Sequence, residues 1–502
     1  MKKEIVLPET IKECHELIID LTRQIEQLQR RAFGSLKDRA CKYEGPSLFD
    51  ELEEEEHIAA TAKLDKAINE VEADAKRRRE EAKEAKRNAR PEKYNTYGLP
   101  EEHRTEIPEG INVEDYDIIG YDTNRILHLV PQKLWVEVIK RPVLRAKKDK
   151  NAPSPQIIQA PAPYNILGGG HVAADLLSTL IVNKYCHHLP EYRQVKMFSD
   201  LGLKLPTSTV NNWIHAAAQV LYPLYESQRE AIVKGGYLQV DEVPWRIADR
   251  QGQACRKGYA WQFRDVSPEN RGTFFYYYKG SRGAETPRSQ LKDFKGAIQT
   301  DGYKVYDYFE NVSDIVNLAC MAHVRRKFID AQSSNPLASE FVKYIAALYT
   351  LEENLKTANA DFEEIQQERQ RLAVPILDGM HTWMLVAIKN CTPSEPLANA
   401  IKYTIGLWPR IKRYTENGMY QIDSNPVEQG QRPSVLGRKN YLFSQNNRGA
   451  EDNAIFYTFV VSCEILGVSP TKWFNNALNK IRPNMDEEEL INLLPYKFKA
   501  DL

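Results

Sequence analysis

The stretch Tyr237-Leu238-Gln239-Val240-Asp241-Glu242-Val243-Pro244-Trp245, entered through Gly235-Gly236, decides how the rest of the chain is read. Four strand-forming residues lead into Asp241, which predicts a carboxylate at a strand end. Two more strand-like runs follow, Gly258 to Arg264 and Thr273 to Tyr278, each bounded by glycine or polar turns, so an antiparallel meander is expected. A fourth run, Gly296-Ala297-Ile298-Gln299-Thr300-Asp301-Gly302, again ends on an acid. A helical stretch around Val305 to Phe309 then precedes a fifth strand, Ile315 to Ala319, which enters a helix beginning near His323.

Three antiparallel strands, a fourth strand, a helix and a fifth strand is the order of an RNase H-like sheet. In such a sheet the first and fourth strands are neighbours, so Asp241 and Asp301 are expected to face one another. Two carboxylates brought together repel unless a divalent cation lies between them. A third acid is expected from a later helix. At Tyr420 to Glu428 the chain leaves an extended segment, with Asn425 suited to the cap, Pro426 to the first helical position and Glu428 three residues beyond Asn425. That spacing also makes a capping box, a purely structural arrangement. Alone, Glu428 reads as the box; beside two strand-end aspartates it reads as the third metal ligand. Hard oxygen donors select Mg2+ or Mn2+, and a two-metal site activates water or a terminal 3′-hydroxyl for in-line displacement at phosphorus. Downstream, Arg432, Arg438, Lys439 and Arg448 are interleaved with Tyr441 and Phe443. This pattern suits a phosphate backbone, the alternative being an ordinary amphipathic surface.

Outward from this core, 502 residues exceed what one core holds, so an α/β multidomain chain is expected. Apolar residues make up 42 % and charged residues 27 %, the balance of a globular protein with some solvated helix. The formal net charge of −1 points to no partner, so any nucleic-acid surface has to come from local clusters. No apolar run reaches the ~18 residues of a bilayer span. Met1-Lys2-Lys3-Glu4 leads into an amphipathic helix and not a signal-peptide block, and a cytoplasmic protein is expected. Seven scattered cysteines, none spaced C-x-x-C, support neither a disulfide framework nor a zinc ribbon.

Residues 1–45 carry a heptad seam, Ile11, Cys14, Ile18, Leu21, Ile25 and Leu28, read as a coiled coil that pairs protomers, the alternative being a helix packed on its own chain. Residues 46–100 hold an acidic run and then a basic one with little apolar periodicity, read as a charged helical linker. Residues 101–150 are read as a small β module, with Leu134 to Ile139 as a strand, and Lys147 to Pro163 as a linker. Within 164–230, helices Val172 to Cys186 and Leu189 to Leu201 precede a turn at Gly202 and a third helix capped by Thr207 or Ser208 and running through Trp213. A helix-turn-helix and a plain αα-hairpin both satisfy these residues. The core is assigned to 235–332 and 420–465, a helical insertion to 335–415 and a helical tail to 466–502.

With the acids placed, the chain resembles the insertion sequence 66 family of transposases. The matching blocks are Val240-Asp-Glu-Val-Pro-Trp245, Thr300-Asp-Gly-Tyr303, Cys320-Met-Ala-His-Val-Arg-Arg-Lys-Phe328, Asp423-Ser-Asn-Pro-Val-Glu428 and Leu436-Gly-Arg-Lys-Asn-Tyr-Leu-Phe443. His188 to Gln194 and Asn447 to Glu451 add two more, so the resemblance runs from about Leu167 to Gly467.

The resemblance implies that Asp241, Asp301 and Glu428 are a DDE triad and that the gap between the last two holds a mostly helical insertion. Cys320 and His323 match the family's Cys-x-x-His; lacking further ligands, the pair is read as supporting the site. Arg325 and Arg326 of the same block join the expected DNA contacts. The family commonly carries two Cys-x-x-Cys pairs in a small zinc module. Arg145-Ala-Lys-Lys148 stands where the second pair falls, and no upstream pair exists, so zinc is not expected. The implied activity is metal-dependent cleavage and strand transfer at the ends of a mobile element. The implied partners are terminal inverted repeats, target DNA, a second protomer and accessory element-encoded proteins, with no membrane. A silent DNA-binding regulator and another nuclease of the same fold are the alternatives.

Overall fold

The computed structural model describes residues 55–87, 133–145, 157–168, 172–248 and 255–499. The heptad seam at Ile11 to Leu28 and most of the expected β module lie outside these residues. Two compact units form: residues 77–161 with 201–203 make the smaller, and the remainder the larger.

In the smaller unit, β1 (Val143–Arg145) pairs antiparallel with β2 (Ile157–Gln159), Val143 opposite Gln159. The guanidinium of Arg141 extends the pairing by donating to the Ala160 carbonyl at 3.0 Å. The expected strand at Leu134 to Ile139 is absent, and its Trp135 and Val136 are exposed. Alternation supplies two faces, but a strand also needs a neighbouring backbone. Conversely, β2 arises inside the stretch read as a linker.

The first described element is the helix α1 (Glu55–Arg87), which belongs to the larger unit up to Lys76. Its Leu64, Ala67 and Val71 form a stripe buried in the main apolar cluster, and the Asn354 side-chain amide donates to the Val71 carbonyl at 3.3 Å. The solvated-linker reading misses this face because two of its anchors are small and the charged residues outnumber them. Helices α2 (Ala174–Tyr185), α3 (Glu191–Asp200) and α4 (Thr207–Val233) follow. The third outruns its expected length and is entered through Pro206, with no side-chain cap from Thr207 or Ser208. It shares one compact unit with the sheet, and its Tyr225 hydroxyl donates to the Phe275 carbonyl at 2.8 Å.

The sheet has five strands: β3 (Tyr237–Ile247), β4 (Arg256–Asp265), β5 (Thr273–Tyr277), β6 (Gly296–Thr300) and β7 (Ile315–Ala319). Their spatial order is β5-β4-β3-β6-β7. The first three are antiparallel, while β6 pairs parallel with both β3 and β7. All five strands lie where the strand-forming runs put them, in a mixed sheet within a predominantly helical chain.

Strand alternation gives β3 two unlike faces. Leu238 and Val240 enter an apolar cluster with Trp261, Phe263, Phe274, Tyr306 and Phe309, roofed by α5 (Glu285–Gln290) and a 3-10 segment, Lys304–Asn311. On the other face, Tyr237 joins the larger cluster built with α6 (Met321–Ala331), α7 (Leu337–Thr357) and the helices between Phe362 and Lys412. Within that bundle, the helical run Phe362–Asn390 contains an 18-residue window apolar enough for a membrane span, correcting the expectation that none exists. Half of the window is buried in the bundle, and Trp383, Met380 and Met384 supply its core.

After the bundle, α8 is taken as Asn425–Tyr441, followed by α9 (Asn447–Ile465) and α10 (Pro470–Lys480). Val427, Gly430, Ser434 and Gly437 are the buried positions of α8, a stripe of mostly small residues. A Cβ at Gly430 would overlap the Gln262 amide of β4, and one at Gly437 the Tyr457 hydroxyl. Glycine there lets the helix lie close against the sheet. The tail folds back as well: Trp473 stacks on Phe459 at 4.7 Å between ring centroids.

Candidate active site

The parallel register of β3 and β6 pairs Gln239 with Gln299. Asp241 and Asp301 each lie two residues further on, so the two acids occupy equivalent positions on adjacent parallel strands. The strand-end expectation needs one correction: β6 stops at Thr300, but β3 continues to Ile247, paired with β4 and, at its far end, by one bridge to Ser444. Asp241 is therefore inside its strand, at the point where β3 loses its second neighbour.

The Asp241 carboxylate accepts from the Glu242 N–H at 2.9 Å and from the Gln431 side-chain amide at 3.0 Å. Burial, then the charges of Glu242, Asp301 and Glu428, push its pKa up from 3.8 to about 8. Arg326 interacts with this charge across the cavity, yet burial and the neighbouring acids outweigh it. Asp301 accepts from the Tyr303 N–H at 2.9 Å.

The third acid arrives through a segment fixed by glutamines. The Gln239 amide donates to the Gln299 side chain at 2.9 Å, the Gln421 side chain at 3.0 Å and the Asp423 carbonyl at 2.9 Å. The Gln299 amide donates to the Gln421 carbonyl at 2.7 Å, and the Val427 N–H donates to Gln239 at 3.2 Å. Asp423 then organises the turn, accepting from the Asn425 N–H at 3.0 Å and the Tyr349 hydroxyl at 2.7 Å.

This changes the reading of the helix start. Ser424 occupies the cap position without a side-chain bond, and Asn425 is already helical, so no capping box forms. The Glu428 carboxylate instead accepts from Arg326 Nη2, 2.6 Å from both oxygens, with His323 Nε2 at 3.7 Å. The structural rival for Glu428 is thereby removed, but an ion pair stands in its place.

Asp241, His323, Arg326, Glu428, Gln431 and Arg432 line one cavity of about 340 Å³, with Val435 and Leu436 at its apolar edge. Cys320 lies beneath it, buried, its thiol pKa raised by burial and its Sγ accepting the Ser424 N–H at 3.2 Å. That contact ties the start of α6 to the turn before Glu428. Burial and the neighbouring Arg326 hold the His323 pKa below its ordinary value.

Among the described residues, no group of three or more His, Cys, Asp or Glu side chains is gathered so as to hold a metal ion. Glu428 is turned to Arg326 and away from such a cluster. The donor chemistry nevertheless fits a hard divalent cation: the Asp241 carboxylate is buried among like charges, and its hydrogen-bond donors are a backbone N–H and an amide, not a cation. Asp241, Asp301 and Glu428 are the side chains to hold it.

The basic residues separate into two kinds. Arg432, Lys439 and Arg448 are exposed, with Arg432 at the cavity. Arg438 donates to the Pro244 carbonyl and so fastens α8 to β3. Arg326 pairs with Glu428, and half-buried Arg325 acts electrostatically on Tyr349.

Sequence reasoning missed Gln431 and the glutamine network. A signal existed: Gln239-x-Asp241, Gln299-x-Asp301 and Gln421-x-Asp423 repeat one spacing, and the three glutamines meet. It also missed Glu242, which on the opposite face of β3 pairs with Arg282 at 2.5 Å and accepts from the Tyr306 hydroxyl at 3.3 Å.

The mixed sheet thus carries two acids at equivalent positions, in β3 and just past β6, with a third acid on α8. The profile described as "Transposase IS66 family" matches residues 169–452, more than half of the chain, and the chain belongs to that family. Three proteins of Sinorhizobium fredii (strain NBRC 101917 / NGR234) are similar over nearly the whole length. Uncharacterized protein y4jD is 27 % identical, covering 99 % of this chain and 98 % of that protein. Uncharacterized protein y4qI is 27 % identical over 98 % of this chain and 91 % of its own. Uncharacterized protein y4hP is 26 % identical over 96 % and 89 %.

Proposed function

We propose that the larger unit is an RNase H-like nuclease core and that the chain is a DDE transposase acting on the DNA ends of its mobile element. The observation carrying this is the equivalent placement of Asp241 and Asp301 on parallel neighbours, with Glu428 on the helix crossing the same strand. A divalent cation held by these three supplies Lewis-acid activation of the attacking and leaving oxygens at phosphorus.

The chain's own residues do the rest. Gln431 orients the Asp241 carboxylate, and Tyr303 N–H orients that of Asp301. Cys320 and the glutamine network fix the turn that sets the position of Glu428. Arg432, with Lys439 and Arg448, offers exposed positive charge to the phosphate backbone. Water is the first nucleophile and frees a 3′-hydroxyl, which then attacks target DNA.

The test is Mg2+-dependent cleavage of duplexes carrying the element's ends, native chain against Asp301→Asn. Cleavage is expected in the native protein and lost in the variant. Equal cleavage by both would reject the triad, and binding without cleavage by either would indicate a silent DNA-binding regulator.

A further inference from the structure

The triad reading gives Glu428 a ligand role, yet its carboxylate already has an occupant. Arg326 Nη2 lies 2.6 Å from both Glu428 oxygens, so one guanidinium covers the lone pairs that a cation needs. The two residues come from different elements, Arg326 from α6 and Glu428 from the first turn of α8. His323, one helical turn before Arg326, lies 3.3 Å from Arg326 Nη1 and steadies the pair. All three line the cavity that also exposes Asp241.

This is not a buried structural pair. The Arg326 side chain is 49 % exposed and that of Glu428 29 %, whereas Glu242, paired on the other face of β3, is 3 % exposed. The guanidinium is thus reachable by an incoming anion. A phosphodiester presents the same two-oxygen geometry as a carboxylate, and arginine binds both through parallel N–H groups.

Building on the triad reading, we propose that Arg326 is a latch that keeps Glu428 from metal until DNA arrives. In DNA-free protein the guanidinium holds the carboxylate. A DNA phosphate entering the cavity takes the guanidinium over, and Glu428 turns free to complete the metal site. Metal and DNA then tighten each other's binding reciprocally, because each favours the open latch. The consequence is an enzyme whose metal site is complete only on its substrate.

The test measures Mn2+ binding to the full chain by electron paramagnetic resonance, first without DNA and then with a short duplex. Removing the latch with Arg326→Gln is expected to tighten DNA-free Mn2+ binding about tenfold and to shrink the further gain on adding duplex. Arg326→Lys, which keeps the charge but loses the guanidinium nitrogen facing His323 and some reach, is expected to fall between. Arg432→Gln removes a cation from the same cavity without touching an ion pair to Glu428, and is expected to change Mn2+ affinity less than about threefold. Equal gains in the Arg326 and Arg432 variants would mean general charge and would overturn the latch, as would unchanged affinity in Arg326→Gln. Asp301→Asn and Glu428→Gln separate the two levels. If both bind Mn2+ as the native chain does, the triad itself has failed; if both lose it while Arg326→Gln is unchanged, only the latch has.

Discussion

The two faces of β3 hold neighbouring acids in opposite circumstances. Glu242 points into a closed apolar face and has Arg282 and Tyr306 as fixed partners. Asp241, one residue earlier, faces an open cavity, where its hydrogen-bond donors are a backbone N–H and the Gln431 amide and the neighbouring acids raise its pKa. A buried carboxylate with its own cation is complete as it stands, whereas one buried among like charges is completed only by something bound. The same contrast separates the two arginines: Arg282 serves a buried acid, and Arg326 an accessible one.

The sharpest way to break this comparison is Arg282→Ala. It strands the Glu242 carboxylate in an apolar face, and the expected loss is about 3 kcal/mol of stability in denaturant unfolding. A loss as small as that of an exposed pair would mean that the two faces do not differ in kind.

Gly430→Ala comes next. The added methyl meets the Gln262 amide and lifts α8 from the sheet, costing about 1–3 kcal/mol. Because Glu428 and Gln431 ride on that helix, cleavage should fall more than stability alone explains, read as activity per folded molecule.

Asp241→Asn tests the open face through pH, in chelator. In the folded protein Asp241 keeps its proton up to about 8, while its ordinary value is 3.8. Between those values the folded state binds more protons than the unfolded one, so this residue's contribution to stability declines as pH rises. The variant lacks that decline, and its melting temperature should gain on the native protein from about pH 4 to about pH 8. A gap that stays constant with pH would remove the argument for a charge-strained site.

The smallest effect belongs to Arg326→Ala, expected to cost less than about 1 kcal/mol because both partners are partly solvated. A larger cost in the same unfolding assay would turn the latch into a structural pair.

Much of this was legible before any coordinates. Strand-forming runs bounded by turns marked all five strands, and the position of Asp241 and Asp301 after equivalent glutamines follows from parallel register once the strands are neighbours. Leu134 to Ile139 misled because alternation was present but, among the described residues, no backbone pairs with it. The stripe at Leu64, Ala67 and Val71 was hidden because a short apolar seam among many charges resembles a solvated helix until a bundle covers it. The capping box at Glu428 failed for a related reason: the spacing was right, but Asp423, anchored by Tyr349, took over the turn.

The sequence by itself determined the five strands of the sheet, their order and the family, and it put forward the three acids, because propensity, turn signals and motif spacing are local properties written along the chain. Only the tertiary structure decided which acid is satisfied and which is not. Glu242 meets Arg282 40 positions away, and Glu428 meets Arg326 across 102. Such pairings depend on how distant helices dock against the sheet, and no local pattern specifies that.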